Sequence, residues 1–295
     1  MQTSMMKNFA PLLKLKITSL LGASVLLLTM SATANTADRA IQIPKDTVQS
    51  VMWPQMARDY LLKEKNRSQK IIMNNEVIVR APSQAEDQMN VPVHVDARTI
   101  KNVKKIVLIA DLNPLPKVLT FTPEQAEARF SVRIKVEQGT PIRAAVLDQD
   151  GTWHVGATLI DAAGGGCSQP AVAHSTDNWV DSLANVRGKI WRTPNAQSSK
   201  LRLNIKHPMD TGLADGIPAF YLETLALTAP DGTALGQLEL HEPVSENPTL
   251  TLFPKVKASQ KTLIVKGRDN GGNHLTAKVP VPIQSSALMS KPEAK

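Results

Sequence analysis

Val91-Pro92-Val93-His94-Val95-Asp96-Ala97 alternates apolar and polar side chains with a period of two, and Ile106-Val107-Leu108-Ile109-Ala110 follows as an unbroken apolar run. The first pattern is that of a strand with one face on a core, the second that of a central strand. Similar short segments lie at 71–73, 77–79, 128–136, 142–147 and 152–158. They are separated by Asn113-Pro114-Leu115-Pro116 and by the turn Asp148-Gln149-Asp150-Gly151. Six or seven short strands at this spacing predict an antiparallel β-sandwich. A second strand-rich block occupies 201–205, 219–228, 234–240, 250–253, 261–266 and 274–279, with turns at Pro230-Asp231-Gly232 and Arg268-Asp269-Asn270-Gly271-Gly272. It predicts a second, smaller sandwich.

The segments around these blocks read differently. Residues 161–200 lose the strand pattern, and 164–198 are expected to be a glycine arm followed by a linker. Within 35–69, residues 44–65 place Trp53, Met56, Tyr60 and Leu61 on one face and predict a helix, with Asp46 or Thr47 as its cap. The expected organisation is therefore a helical segment at 35–69, a sandwich at 70–163, the arm and linker at 164–198, a sandwich at 199–285 and a disordered tail at 286–295.

The first residues carry a processing signal. Lys7, Lys14 and Lys16 form a positive region, Ile17 to Met30 an apolar run, and Ala32-Thr33-Ala34 the small-x-small pattern of a cleavage site. Residues 1–34 are expected to be a signal peptide removed on export to the periplasm, leaving no membrane span. Removal takes three lysines and no acid, so the formal charge falls from +8 to +5. The bases are scattered along the sequence without the aromatic interleaving that tracks a phosphate backbone, which argues against nucleic acid as a partner. A basic balance of this kind suits docking onto acidic partner proteins.

Cys167 is the single cysteine. In an oxidising compartment it has no intramolecular partner, so it is an intermolecular or reactive thiol, or it is buried. It sits in Gly164-Gly165-Gly166-Cys167-Ser168-Gln169-Pro170, and three side-chain-free residues describe a slim, flexible arm that presents a thiol able to form S–S bonds reversibly. From Asp161 to Gly166 such an arm extends at most about 20 Å. The run lacks the spacing and Lys-Ser/Thr pair of a phosphate loop, and the six histidines show no metal-ligand spacing. No metal, cofactor or catalytic residue is expected. His174, seven residues after Cys167, is the base to examine if the thiol were an enzyme's nucleophile.

At these residues the sequence resembles the SoxY and SoxZ carrier proteins of periplasmic sulfur oxidation, fused in one chain. The SoxY-like half carries Asn113-Pro114-Leu115-Pro116, Phe121-Thr122-Pro123, Arg133-Ile134 and Asp150-Gly151-Thr152-Trp153 before the glycine-flanked Cys167. The SoxZ-like half carries Ile205-Lys206-His207-Pro208-Met209-Asp210-Thr211-Gly212, Ile217-Pro218-Ala219 and Val244-Ser245-Glu246-Asn247-Pro248. The resemblance implies two immunoglobulin-like sandwiches associated as in the SoxYZ heterodimer. Cys167 would be the covalent attachment site for a sulfur intermediate, and the SoxZ-like half scaffold and docking surface. The arm is internal here, continuing through Ser168-Gln169 into the second half instead of ending at a free C-terminus. Fused carriers of this kind are associated with quinoprotein dehydrogenase systems. The implied partners are therefore sulfur-oxidising enzymes or such a dehydrogenase system. The alternative is a non-catalytic accessory protein of that system with Cys167 unused.

Overall fold

A computed structural model describes residues 42–62, 70–175, 178–192 and 198–282, so the expected signal peptide and the whole of the expected tail lie outside the described residues. The chain from Ile41 onward is one compact unit. A short helix, α1, covers Trp53–Met56 and runs on as a wider π turn over Ala57–Leu61. Fifteen strands follow among the described residues. In the first half they are β1 (Lys70–Met73), β2 (Ile78–Arg80), β3 (Val91–Asp96), β4 (Val103–Ala110), β5 (Lys117–Thr122), β6 (Ala126–Ile134), β7 (Thr140–Asp148) and β8 (Thr152–Ile160). In the second they are β9 (Val186–Arg192), β10 (Ser199–Ile205), β11 (Leu222–Thr228), β12 (Ala234–Leu240), β13 (Thr249–Pro254), β14 (Thr262–Asp269) and β15 (His274–Pro280).

The strands form two sheets, and each sheet runs through both halves. The nine-stranded sheet is ordered β1-β8-β7-β4-β5-β12-β11-β14-β15, the six-stranded sheet β2-β3-β6-β13-β10-β9. The tandem sandwiches are therefore joined edge to edge in both layers. β5 pairs with β12, Phe121 opposite Leu238, and β6 pairs with β13, Phe130 opposite Leu252. Phe121 and Phe130 meet edge to face with ring centroids 5.5 Å apart. Pairing hides strand edges that two separate sandwiches would expose. One apolar core runs from Val91 through Phe121 and Phe130 to Leu252 and Val279.

The unbroken apolar run of β4 has a physical cause. Ile106, Leu108 and Ala110 face this shared core, whereas Val107 and Ile109 face a second cluster with Trp53, Met56, Leu61, Ala145 and Trp153. The helical segment thus covers the outer face of the nine-stranded sheet in the first half. It is shorter than 44–65: Pro54 sits in its first turn, and Asp46 does not cap it. Asp46 instead meets the buried Arg143 guanidinium at 2.6 Å, and Asp111 meets the same group at 2.8 Å from the other side. Desolvating that guanidinium would be costly without such carboxylates.

Two strands were not legible as such. β5 follows closely on the Asn113–Pro116 break, and β9 lies inside 164–198, the stretch read as arm and linker. β9 pairs along its whole length with β10, Ser199 opposite Arg192 through Ile205 opposite Val186. Its exposed positions are Arg187, Lys189 and Trp191, so it lacks the apolar alternation that marks the others. Among the described residues no helix is long and apolar enough to cross a membrane.

Cutting the backbone at an engineered protease site within 193–197 should leave the halves associated, because β5–β12, β6–β13 and β9–β10 remain paired. Each large apolar side chain kept buried at that seam contributes about 1.5–3 kcal/mol. Gel filtration of the nicked protein is expected to show one peak containing both fragments; two separate monomers would contradict the shared sheets.

Candidate functional site

Cys167 is a free thiol and is fully buried. The chain leaving β6 prepares its berth. Asn113, itself buried, donates from Nδ2 to the Lys135 carbonyl at 2.8 Å and accepts the Glu137 N–H at Oδ1, 2.9 Å. The Asn-Pro-Leu-Pro break thereby sets the course of 135–137. Glu137 then grips the cysteine segment. Its carbonyl accepts the Gly165 N–H at 3.2 Å and the Val136 carbonyl accepts the Gly166 N–H at 3.1 Å. Its carboxylate accepts the N–H groups of Cys167 at 2.8 Å and Ser168 at 3.1 Å, and the Ser168 hydroxyl at 2.9 Å.

The glycines serve this docking, which corrects the expectation of a slim, free arm. Gly164 and Gly165 adopt φ of +114° and +88°, a region L side chains rarely enter. A Cβ on Gly166 would lie 2.3 Å from both the Gln88 and Val136 carbonyl oxygens. The run can thread between two backbone segments because it carries no side chains.

The second half closes the berth. Thr211 donates its hydroxyl to the Cys167 carbonyl at 2.5 Å. Lys135, buried, donates from Nζ to the Met209 carbonyl, crossing from one half to the other. His207 accepts the Met209 N–H at Nδ1, 3.1 Å, and Asn247 donates its N–H to the His207 carbonyl at 2.8 Å. Glu246 accepts the N–H groups of Val172 at 2.7 Å and Ala173 at 3.1 Å, and Asp210 meets His174 Nε2 at 2.9 Å. The His-Pro-Met-x-Thr-Gly and Ser-x-Asn-Pro stretches thus converge on the segment that follows the thiol. His174 is engaged with Asp210. Lys135, Glu137, Asp210, Thr211 and Glu246 were not singled out as site residues by sequence reasoning. For Lys135 and Glu137 the local signal was two polar residues flanking Val136 at the end of an apolar strand, and Asp210, Thr211 and Glu246 lie inside the His-Pro-Met-x-Thr-Gly and Ser-x-Asn-Pro stretches.

Electrostatically the berth keeps the thiol protonated. Burial pushes the Cys167 pKa up to about 12, the Glu137 charge adds to the rise, and Lys135 opposes it. An ordinary thiol titrates near 8.5, so the docked one is a poor nucleophile at neutral pH. Burial holds Lys135 below the usual lysine range, against the negative charges around it, Asp210 and Glu246 included. His207 is neutral, since burial lowers its pKa to about 4 despite Asp269 nearby.

Few apolar contacts hold the segment. Among the described residues from 161 to 183 only Gly166, Cys167 and Ala171 are buried. Three hydrogen bonds to a carboxylate at about 2 kcal/mol each and three neutral ones at about 1 kcal/mol give about 9 kcal/mol. Ordering five backbone residues costs about 5–10 kcal/mol. The two nearly cancel, so local release is far cheaper than unfolding either sandwich.

The proton on Cys167 is held more tightly when the segment is docked, so docking is favoured below the ordinary thiol pKa and weakens as pH climbs toward about 12. Alkylation of the native thiol by iodoacetamide should be slow near pH ~8 and still rising above pH ~10, without the plateau of a thiol titrating near 8.5. Gly166→Ala should react at least ~10-fold faster near pH ~8, with little change in melting temperature, because only the segment is expelled. Equal rates for both proteins would show that the berth does not guard the thiol.

Residues 62–167 match the family model "Sulfur oxidation protein SoxY", and residues 192–280 match "Sulphur oxidation protein SoxZ". Among solved structures, the sulfur carrier protein SoxY from Chlorobium limicola f thiosulfatophilum is similar at 20% identity, over 37% of this chain and 88% of that chain, with a TM-score of 0.30. The search of curated proteins returns no match. The two family matches lie in tandem, on the two halves that share the sheets and enclose Cys167, and the chain belongs with them as a fused SoxY–SoxZ-like sulfur carrier protein.

Proposed function

We propose that the protein is a periplasmic covalent carrier that holds a sulfur-containing intermediate on Cys167 and presents it to partner redox enzymes. The observation that carries this reading is the position of the chain's one cysteine. It is the last residue of the SoxY match, at the end of a glycine run, where backbone and side chains of both halves meet. The docked form guards the thiol, and the released form, freed from Glu137 and Thr211, reaches the partner. Joining the thiol to a second sulfur at the same oxidation level forms an S–S bond and releases two protons and two electrons. A redox partner must accept those electrons, which suits sulfur-oxidising enzymes or a quinoprotein dehydrogenase system. The protein itself acts as carrier and supplies no catalytic residue in this scheme.

Burial of Cys167 favours a second reading, an accessory or docking protein in which the thiol is structural. Intact mass separates the two. Protein purified from its native compartment without reductant should carry a reductant-labile adduct on the peptide containing Cys167, and Cys167→Ser should lack it. An unmodified thiol in actively metabolising cells, with Cys167→Ser lowering stability by ~1–3 kcal/mol, would favour the accessory reading.

Export follows from Lys7, Lys14, Lys16, the apolar run and Ala32-Thr33-Ala34. N-terminal sequencing of the mature protein is expected to begin at Asn35; a chain retaining Met1 would remove the periplasmic assignment.

A further inference from the structure

The bases that look scattered in sequence are gathered by strand register on the outer face of the six-stranded sheet. One row crosses all six strands. Arg80 lies opposite His94, His94 opposite Ser131, Ser131 opposite Thr251, Thr251 opposite Arg202, and Arg202 opposite Lys189. Beside it, Pro92 lies opposite Arg133 in the first half, and Thr249, Asn204 and Arg187 lie opposite one another in the second. Five permanent cations and one histidine stand in these rows without an acid among them. Arg80, Arg187, Lys189 and Arg202 are exposed, and none of the four has an ion pair among the described residues. The acids of this face, Asp96 and Glu127, sit at its other end and are already taken. Asp96 meets Arg98 at 2.6 Å and Glu127 meets Arg129 at 2.5 Å. A groove of about 480 Å³ runs between Arg80, His94, Arg133 and Arg202, across the seam of the two halves. Burial holds His94 below its usual range, and Arg80, Arg129 and Arg98 add to this while Asp96 opposes it.

We propose that this face is a docking surface for an acidic protein. Its groups fit carboxylates. Guanidiniums flank Thr249 and Thr251, whose hydroxyls can donate further hydrogen bonds to a carboxylate-bearing surface, while the Asn204 amide is already engaged with the Asn247 carbonyl and the Thr249 hydroxyl. The rows offer no large aliphatic side chain for insertion into a bilayer. The face's exposed aromatic, Trp191, is at the edge strand, flanked by Lys189 and Lys200 at 5.3 and 5.8 Å from its ring, so bases would find no stacking platform along the rows. Six strands span about 24 Å and the rows about 7 Å more along them, so contact is a few hundred Å² per partner. That is the scale of a transient encounter, steered by charge and released readily. The unbalanced rows also lie at the end of β6 from which Lys135–Glu137 continue to the Cys167 berth. Docking itself does not require that the thiol carry cargo, and its test reads binding alone.

The probe is a fluorescein-labelled peptide of alternating Glu and Ser, titrated with the full chain and read by polarisation. Binding is expected at low ionic strength and should weaken at least ~10-fold by ~0.3 M salt. Arg80→Glu with Arg202→Glu, one exposed residue from each half, should weaken it at least ~10-fold. Lys266→Glu with Lys278→Glu, the same change in net charge on the nine-stranded sheet, should leave it within ~2-fold. Circular dichroism checks that both double variants are folded. Failure of the peptide to bind, equal loss in the two double variants, or tighter binding of anionic phospholipid vesicles or duplex DNA than of the peptide would overturn the proposal.

Discussion

Antiparallel pairing of β6 with β13 places the two halves in one sheet, and the site depends on it. Phe130 opposite Leu252 and Ser131 opposite Thr251 set the register. Beyond β6, Lys135 donates its N–H to the Pro243 carbonyl at 2.6 Å and its Nζ to the Met209 carbonyl. A shift of one residue would turn Lys135 to the other face and take its ammonium from Met209. The berth for Cys167 exists only when the halves are in this register, because Glu137 comes from one and Thr211 from the other. The buried Lys135 ammonium is tolerable for the same reason: the second half supplies its acceptor and nearby negative charge.

For the proposed carrier, burial of the thiol is a matter of balance. The docked segment is held by polar contacts and almost no apolar surface, so its attachment strength is small and adjustable. The glycines have two physical roles that sequence alone does not separate. They permit positive φ and close passage between Gln88 and Val136 in the docked state, and they impose little stiffness in a released one. Continuation of the chain through 168–175 onto Glu246 and Asp210 ties down the downstream side. In the proposed carrier, release toward a partner would involve the Val172–Ser175 turn as well as Glu137.

Charge and thiol share one end of the molecule. The Arg98–Asp96 and Arg129–Glu127 pairs neutralise the far end of the six-stranded sheet's outer face, while the rows nearer the berth remain positive. Fusion of the two halves also fixes the cations of β2 and β6 against those of β9 and β10 in a single field. A heterodimer would assemble that field only on association; one chain keeps its parts at high effective concentration.

All-β architecture, the break at Asn113–Pro116 and the turns were legible from local pattern, since period-two alternation and turn chemistry are short-range properties. The SoxY-like and SoxZ-like signatures were legible too, but only as order along the chain. Tertiary structure decided the rest. β9 carries exposed Arg187, Lys189 and Trp191 and becomes a strand through pairing with β10, which no local pattern announces. Asp46 reads as a helix cap and is instead the partner of Arg143, a residue 97 positions away. The cations Arg80, Arg133, Arg187, Lys189 and Arg202 look dispersed until register aligns them. Gly164–Gly166 reads as freedom and proves to be fit, because the space that forbids a Cβ there is made by Gln88 and Val136. Sequence determines which residues a segment offers; the close approach of distant backbone determines what they do.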